Sequence, residues 1–229
     1  METRYTFDVI ARVRTPFAEK FGIPRQSGLA AGVSGAIVFE EAFRKPEALR
    51  RLDGFSHIWL LWCFSQHAEK DWHPTVRPPR LDGSSRLGVF ATRSSFRPNP
   101  IGLSLVRLDG IDLETPEGPI LQVSGPDLLD GTPLFDIKPY LPYTDCRPEA
   151  RSGFVAENDW TGLEVEIPPA LLTKIPAEQQ AALCEVLSQD PRPAYHKDPD
   201  RVYGLSFAGR NVRFTVRDGV VRVSQVDFL

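Results

Sequence analysis

The 229-residue sequence lacks the features that mark membrane proteins, secreted proteins and zinc proteins. Its three cysteines, Cys63, Cys146 and Cys184, are widely separated and form no Cys-x-x-Cys pair. This spacing argues against a disulfide framework and against a zinc site. Residues 1–15 contain no apolar signal region, and no apolar run approaches the roughly 18 residues of a membrane span. We therefore expect a cytoplasmic protein that has no membrane anchor and binds no metal.

The common cofactor-binding and catalytic signatures are absent as well. No Gly-x-Gly-x-x-Gly follows a strand-like run, and there is no P-loop and no Gly-x-Ser-x-Gly. None of the four histidines has metal-ligand spacing. His57 precedes an apolar run and is more typical of a core, whereas His67 lies just beyond that run, where functional residues are more frequent. A doubly wound dinucleotide-binding fold therefore has no support from motifs.

The pattern of short apolar runs between glycine and proline turns favours a mainly β fold. Strands are predicted at 5–14, 32–39, 57–64, 89–92, 104–108 and 120–123, with a short helix at 46–52. The pattern of predicted elements changes after about residue 152. From there the sequence predicts a strand at 163–167, a helix that begins at Pro176 and a hairpin around Asp218-Gly219. We predict an antiparallel or mixed β-barrel domain at residues 1–152 and a small α+β domain at residues 153–229.

Two segments are rich in side chains that bind ligands. The first, 88–104, contains a Pro-Asn-Pro turn that displays Arg93, Arg97 and Asn99 on a rigid backbone. The second, 127–145, holds four carboxylates, one lysine and two tyrosines, and its prolines predict an extended and irregular chain. The alternative for the first segment is a surface turn with solvated arginines.

Charge is distributed unevenly along the chain. The net charge is −3, but residues 72–108 carry six arginines and only one acid, Asp82, so this stretch is +5 and the remainder is −8. A local basic stripe of arginines suits phosphate or planar recognition, as in nucleic-acid binding. The alternative is a solvated charged face.

Four shorter segments, at 24–26, 55–60, 75–80 and 189–195, complete a pattern with the two segments at 88–104 and 127–145. Together the six segments resemble the TrmO (YaeB-like) family of S-adenosylmethionine-dependent tRNA methyltransferases. The resemblance extends nearly end to end. It implies a cofactor bound on a β-barrel near a homodimer interface, without a Rossmann sheet. It also implies a substrate, N6 of N6-threonylcarbamoyladenosine beside the tRNA anticodon.

The resemblance carries the S-adenosylmethionine site to positions in the first loop, the end of the aromatic strand, the arginine-rich turn and the acidic segment. Arg93 would suit the methionine carboxylate. Trp62 or Phe64 could face the sulfonium, although both are more typical of a core. The cofactor positions are Pro24, Arg25, Gln26, Ser65, Gln66, Arg93, Leu103, Asp127, Leu128, Leu129 and Asp130.

Methyl transfer to this urea-like nitrogen calls for positioning and for removal of a proton. Candidate bases are Asp130 and Asp136, with Lys138, Tyr140 and Tyr143 as hydrogen-bond partners. Asn99 resembles, weakly, the amide that accepts from adenine in other adenine-N6 methyltransferases.

The remaining candidates concern RNA. Either Arg97 or Arg147 could hold the threonyl carboxylate of the substrate. Arg192 and Tyr195 could contact a base of the anticodon loop or could form a domain-packing turn. The candidates for phosphate contacts are Arg77, Arg80 and Arg86.

Two other functions remain open. One is methylation of a small molecule, with the arginines serving only cofactor and substrate carboxylates. The other is a non-catalytic RNA-binding adaptor.

Overall fold

The computed structural model describes residues 4–67, 71–78, 86–157, 162–193, 196 and 198–229. Its strands are β1 (Ala11–Arg14), β2 (Ser34–Phe39), β3 (His57–Cys63), β4 (Thr75–Val76), β5 (Leu87–Gly88), β6 (Ile101–Asp112), β7 (Ile120–Ser124), β8 (Pro133–Pro139), β9 (Glu164–Glu166), β10 (Tyr203–Phe207), β11 (Arg210–Arg217) and β12 (Val220–Phe228). Its α-helices are α1 (Pro142–Asp145), α2 (Pro169–Leu172) and α3 (Ala177–Ser188). Short 3-10 turns cover Glu41–Phe43, Pro46–Leu49, Leu52–Gly54, Ser65–His67, Val89–Ala91 and Gly153–Glu157.

Six strands close into an antiparallel barrel in the order β1-β2-β7-β6-β3-β8. The aromatic run predicted as a central strand is β3, which pairs with β6 along its whole length, from His57–Arg107 to Cys63–Ile101. Alternation along β3 points Ile58 and Leu60 into the barrel, where both are fully buried. The prediction of a mainly β fold with a barrel is confirmed.

A second core lies under a four-stranded sheet of order β10-β11-β12-β9. The hairpin prediction is confirmed, because Asp218 and Gly219 join β11 to β12 with φ angles of 53° and 78°, as a type I′ turn requires. The predicted helix is α3, and its buried face packs into this core. The buried residues of α3 are Ala182, Leu183, Val186 and Leu187.

The two cores share the connection between β1 and β2. Phe17, Ala30 and Val33 belong to that connection, yet they are buried among the side chains of the second sheet and α3. The connection between β1 and β2 therefore forms part of the hydrophobic core under the C-terminal sheet. The division at residues 152/153 stays a prediction, and the contacts of this connection cross it.

Three segments differ from the sequence prediction. Residues 89–92 were expected as a strand but form a 3-10 turn, followed by the proline-containing turn that leads into β6. Residues 133–139 were expected to be extended but irregular, and they form the regular strand β8. The prolines fit there because they occupy the first and last positions of the strand, where a missing N–H costs least. The helix expected at 46–52 is two short 3-10 turns.

The longest helix in the described ranges, α3, has 12 residues, and none of the helices there has the length and apolar character of a membrane span.

Candidate functional site

A cavity of about 410 Å³ opens at one end of the barrel, where β3 ends and β6 begins. Its wall is completed by the connection between β1 and β2, by the arginine-rich turn before β6 and by the start of the acidic segment. A volume of this size falls in the range of small-molecule sites. The lining residues are Lys20, Ile23, Pro24, Arg25, Gln26, Trp62, Cys63, Phe64, Ser65, Gln66, His67, Thr92, Arg93, Ser95, Arg97, Ile101, Gly102, Leu103, Asp127, Leu129 and Thr132.

Most positions predicted for the cofactor lie on this cavity. Two do not: Leu128 is 1% exposed and belongs to the barrel core, and Asp130 accepts a hydrogen bond from the Thr15 N–H at 3.0 Å on the surface. Residues far apart in sequence are thus brought to one place by the barrel. The predicted positions that line the cavity are Pro24, Arg25, Gln26, Ser65, Gln66, Arg93, Leu103, Asp127 and Leu129.

Asp127 is the only carboxylate among these lining residues. The Trp62 Nε1–H donates to Ser104 Oγ at 3.0 Å, and the Ser104 hydroxyl donates to Asp127 Oδ1 at 2.5 Å. Burial raises the pKa of Asp127, while the Ser104 hydroxyl, Arg93 and the Ser27 N–H oppose that shift. The carboxylate is therefore held in a fixed direction at the cavity wall, with a pKa above that of an ordinary aspartate.

Apart from Asp127, the charged residues of the wall are cations. Lys20, Arg25, Arg93 and Arg97 all line the cavity, and Arg93 donates to the Gln26 side-chain oxygen. Arg97 Nη1 donates to the carbonyls of residues 92 and 94 at 2.9 and 3.2 Å, which holds its guanidinium in place. Such a wall suits a ligand that carries a carboxylate.

Arg25 has an unusual environment. Burial lowers the pKa of Arg25, and the carboxylate of Asp190 opposes that shift. Its Nη2 donates to the Arg192 carbonyl at 3.4 Å. Its Nη1 is buried and has no hydrogen-bond partner among the described residues. A buried cationic donor in the wall is costly unless a ligand acceptor satisfies it.

Aromatic side chains form another part of the wall. The rings of Trp62 and Phe64 meet edge to face with centroids 4.3 Å apart. Trp62 also packs against the barrel core, so the cavity interpretation and the core interpretation both hold for it. His67 lies 3.0 Å from Lys20 through Nδ1 and contacts the edge of Phe96.

The predicted catalytic residues are not among the residues that line the cavity. Asp136 and Lys138 form an ion pair of 2.8 Å on β8, with both side chains substantially exposed. Tyr140 follows β8, and its ring lies 6.0 Å from that of Trp59. Asn99 is exposed at the tip of its turn. Together with Asp130 they remain predictions, and the structure does not gather them into one cluster.

The residues predicted to bind RNA are spread over several surfaces. Arg86 donates to Thr75 Oγ1 at 2.9 Å and to its carbonyl at 3.2 Å, which ties β5 to β4, while Arg77 is exposed just after β4. Arg80 lies outside the described residues, as does Tyr195.

Two further arginines have different environments. Arg192 forms a 2.8 Å ion pair with Asp190, is largely buried, and accepts a hydrogen bond from Arg25 at its carbonyl, as a domain-packing turn would. Arg147 is exposed and bonds to the Cys146 carbonyl, and it is not among the lining residues. Of the two arginines considered for the threonyl carboxylate, only Arg97 lines the cavity.

Several lining residues were not expected from the sequence. Lys20 lies in no segment singled out by the sequence, and Thr92 and Thr132 lie in the two ligand-rich segments but were not candidates themselves. Ser104 is not a lining residue and acts through its hydrogen bonds with Trp62 and Asp127. His67 was the one histidine favoured for function by its position, and it is in the wall. Within the described ranges, no three His, Cys, Asp or Glu side chains are grouped as metal ligands are.

Comparisons with known proteins agree over the whole chain. Residues 12–146 match the model of the tRNA-methyltransferase O N-terminal domain, and residues 161–229 match that of the TrmO C-terminal domain. A tRNA (adenine(37)-N6)-methyltransferase of Escherichia coli is 42% identical over 93% of this chain and 94% of its own length.

A putative S-adenosylmethionine-dependent methyltransferase of Pseudomonas aeruginosa is 43% identical over 95% of both chains. A crystal structure of TrmO from P. aeruginosa superposes with a TM-score of 0.80 at 36% identity, covering 100% of this chain and 99% of that one.

Proposed function

The chain belongs to the tRNA-methyltransferase O family and is a tRNA adenine-N6 methyltransferase, and from this premise we propose that its substrate is N6-threonylcarbamoyladenosine at position 37. The methyl donor in this proposal is S-adenosylmethionine, bound in the 410 Å³ cavity. The observation that supports this placement of the donor is that one cavity gathers nine positions at which the family resemblance places the cofactor.

The cavity residues fit S-adenosylmethionine chemically. The buried Nη1 of Arg25 needs an acceptor, and Arg93 stands beside Gln26 as a second donor, so both suit the carboxylate of the methionine moiety. The Asp127 carboxylate, held by Ser104, suits a ligand ammonium or ribose hydroxyl. When bound, the donor supplies an activated methyl group for in-line displacement, and the chain must align the nucleophile.

Arg97 is our choice for the threonyl carboxylate of the substrate. It lines the cavity, and two backbone carbonyls hold its guanidinium, so a carboxylate there would be met by an ordered cation. Asp130 and Asp136 remain the proposed proton acceptors. Asp130 directly follows the cavity-lining Leu129, so in this proposal the reacting nitrogen of the adenosine lies at that edge of the cavity.

We also propose that the enzyme works as a cytoplasmic homodimer. Ile101 and Leu103 line the cavity and are 37% and 50% exposed, because they alternate with the inward-facing Gly102 and Ser104 on β6. An apolar cavity rim of this kind is a reasonable surface for a second copy. Light scattering should give twice the monomer mass, and Leu103→Asp should shift it to the monomer; a wild-type monomer would contradict the dimer.

Nucleoside mass spectrometry tests the function. Bulk tRNA from cells with and without this protein is digested, and the methylated form of N6-threonylcarbamoyladenosine is quantified. Its loss without the protein supports the proposal. Its persistence contradicts it, and methylated plain adenosine would point to a different adenine substrate. Methylation of a small molecule instead of tRNA would appear as label from the methyl donor in the non-RNA fraction.

A further inference from the structure

We propose that the C-terminal sheet positions the cavity loop, residues 20–28, and that Phe21, Tyr203, Leu205 and Phe214 are positioning residues for ligand binding. The identity of the ligand rests on the proposed function, whereas the mechanical coupling does not.

The cavity loop lies between two supports, and the first is the C-terminal sheet. The Phe21 ring is nearly parallel to the ring of Tyr203 on β10, with centroids 6.3 Å apart and an interplanar angle of 7°. It is also stacked near Phe214 on β11, at 6.4 Å and 20°. Paired aromatic contacts of this kind add to burial in fixing a side chain.

The backbone of the loop is pressed onto the same sheet at the next residue. Gly22 has a φ of +91°, and a Cβ built there would lie 2.0 Å from Cδ1 of the fully buried Leu205. A residue with a side chain fits neither the backbone conformation nor the space. The loop therefore meets β10 at close range between the cavity-lining Lys20 and the lining run that starts at Ile23.

The cavity-lining part of the loop is tied to the C-terminal domain once more. Arg25 donates to the carbonyl of Arg192, whose guanidinium is held by Asp190 through bonds of 2.8 and 2.9 Å. Ile23 packs against the core of the second sheet while it also lines the cavity. The same short stretch thus belongs to the second core on one side and to the cavity wall on the other.

The second support is the barrel. Ser27 Oγ accepts from the Leu105 N–H on β6 at 3.0 Å, and the Gly28 N–H donates to the Gly125 carbonyl at 2.9 Å. The loop is therefore clamped at both ends, by the sheet at Phe21 and Gly22 and by the barrel at Ser27 and Gly28. If the contacts with the sheet at Phe21 and Gly22 are weakened, residues 23–26 become less ordered in the free protein. Part of the binding free energy of a ligand is then spent on ordering them, and the affinity falls.

The test uses full-length variants. Phe21→Ala removes the stacked ring, Phe21→Tyr restores a ring, and Val221→Ala truncates the same core on β12, which β11 separates from β10. For each variant we would measure the melting temperature, the Kd for S-adenosylmethionine by calorimetry, and amide hydrogen exchange of residues 22–28.

Phe21→Ala should weaken binding on the order of tenfold and raise exchange in the cavity loop, through lost preorganisation. Turnover at saturating S-adenosylmethionine should change much less, so the effect falls on KM. Phe21→Tyr should return both readouts close to wild type. Val221→Ala should lower the melting temperature and leave the Kd and the hydrogen exchange of the cavity loop unchanged.

Unchanged loop exchange and Kd in Phe21→Ala would overturn the inference and leave the sheet a purely structural role. Equal effects in Val221→Ala would overturn it as well, because they would reflect general destabilisation. Failure of the wild-type protein to bind S-adenosylmethionine would instead contradict the proposed function, and the exchange comparison would still decide the coupling.

Discussion

Trp62 and Gly102 are register partners on β3 and β6, and a Cβ atom at Gly102 would lie 2.2 Å from Cε2 of the Trp62 indole. The ring therefore occupies the space that any other residue at position 102 would fill. In this position its Nε1–H reaches Ser104, which in turn donates to Asp127. The absence of a side chain at Gly102 thus allows the Trp62 indole to take the position from which the hydrogen bonds through Ser104 orient the Asp127 carboxylate.

Gly102→Ala should destabilise the protein, because a rigid ring cannot yield by more than an ångström without disturbing the barrel core. We expect a loss of about 1–3 kcal/mol, typical of overpacking, and a fall in melting temperature of roughly 2–4 °C per kcal/mol. Gly110→Ala is the matched control, since Gly110 is on the same strand with nothing within 4 Å of its Cβ position. Calorimetric melting of both variants checks this, and equal melting temperatures would contradict it.

Asp127→Asn should weaken S-adenosylmethionine binding while the fold is retained. Asparagine keeps an acceptor for Ser104 but removes the charge, and a hydrogen bond to a charged group contributes about 1.5–3 kcal/mol, or roughly tenfold to a hundredfold in Kd. Asp130→Asn is the control, because that carboxylate bonds to Thr15 outside the cavity. Calorimetry compares the two, and a larger loss in Asp130→Asn would transfer the role to Asp130.

Binding should also depend on pH through Asp127. Its pKa is raised by burial, so it becomes protonated, and affinity falls, at a higher pH than for an ordinary aspartate as the pH is lowered. The Ser104 hydroxyl lowers this pKa, so Ser104→Ala should move the midpoint to higher pH. Titrations of Kd against pH measure the shift, with the cavity residue Ser95→Ala as the control; a shift to lower pH would contradict the assignment.

The central strand of the barrel and the hairpin of the C-terminal sheet were predictable because their signals are local. The aromatic run at 57–63 is apolar enough only for a buried strand, and Asp218-Gly219 fits a type I′ turn whatever lies around it. Register is different in kind. Gly102 beside Trp62 cannot be inferred without knowing how β3 pairs with β6, and Ser104 beside Asp127 cannot be inferred without knowing how β6 pairs with β7.

The shared core was hidden for the same reason. Phe17, Phe21 and Val33 look like ordinary apolar residues of an N-terminal loop, and nothing local says that their partners come from residues 203–226. Nine cofactor positions carried over from the family converge on one cavity, whereas the catalytic candidates Asp136 and Tyr140 are not among the residues that line it. Composition identified the acidic segment but could not say which of its carboxylates faces inward.

Arg77→Ala should reduce the salt dependence of tRNA binding and spare cofactor binding. Arg77 is exposed after β4 in the stretch that carries +5, so it is placed to meet a phosphate. Each lost phosphate contact flattens the log–log slope by about 0.7–0.9. Filter binding from low to moderate salt measures the slope, and Arg50→Ala, exposed outside this stretch, is the charge-matched control. Identical slopes in wild type and Arg77→Ala would place the RNA path elsewhere.

The last prediction concerns the state of the substrate. Methylation should require that the adenosine already carries its threonylcarbamoyl group. The carbamoyl group makes N6–H easier to remove, and the threonyl carboxylate gives Arg97 a charge to hold at the cavity. The binding energy of that carboxylate, which lies away from the reacting nitrogen, then helps to align the nitrogen with the methyl group and lowers the activation free energy of the transfer.

Arg97→Ala should therefore lower turnover on modified tRNA by roughly tenfold to a hundredfold, from a lost charged hydrogen bond of about 1.5–3 kcal/mol. Arg97→Lys should recover part of it, since the charge remains but the two-pronged geometry does not. Arg147→Ala should have little effect, because Arg147 is exposed and outside the lining residues. Labelled-methyl assays on transcripts with and without the threonylcarbamoyl group measure both effects. Equal incorporation into the two transcripts would refute the mechanism, because an unmodified adenine amino group offers Arg97 no carboxylate and its proton is held more tightly.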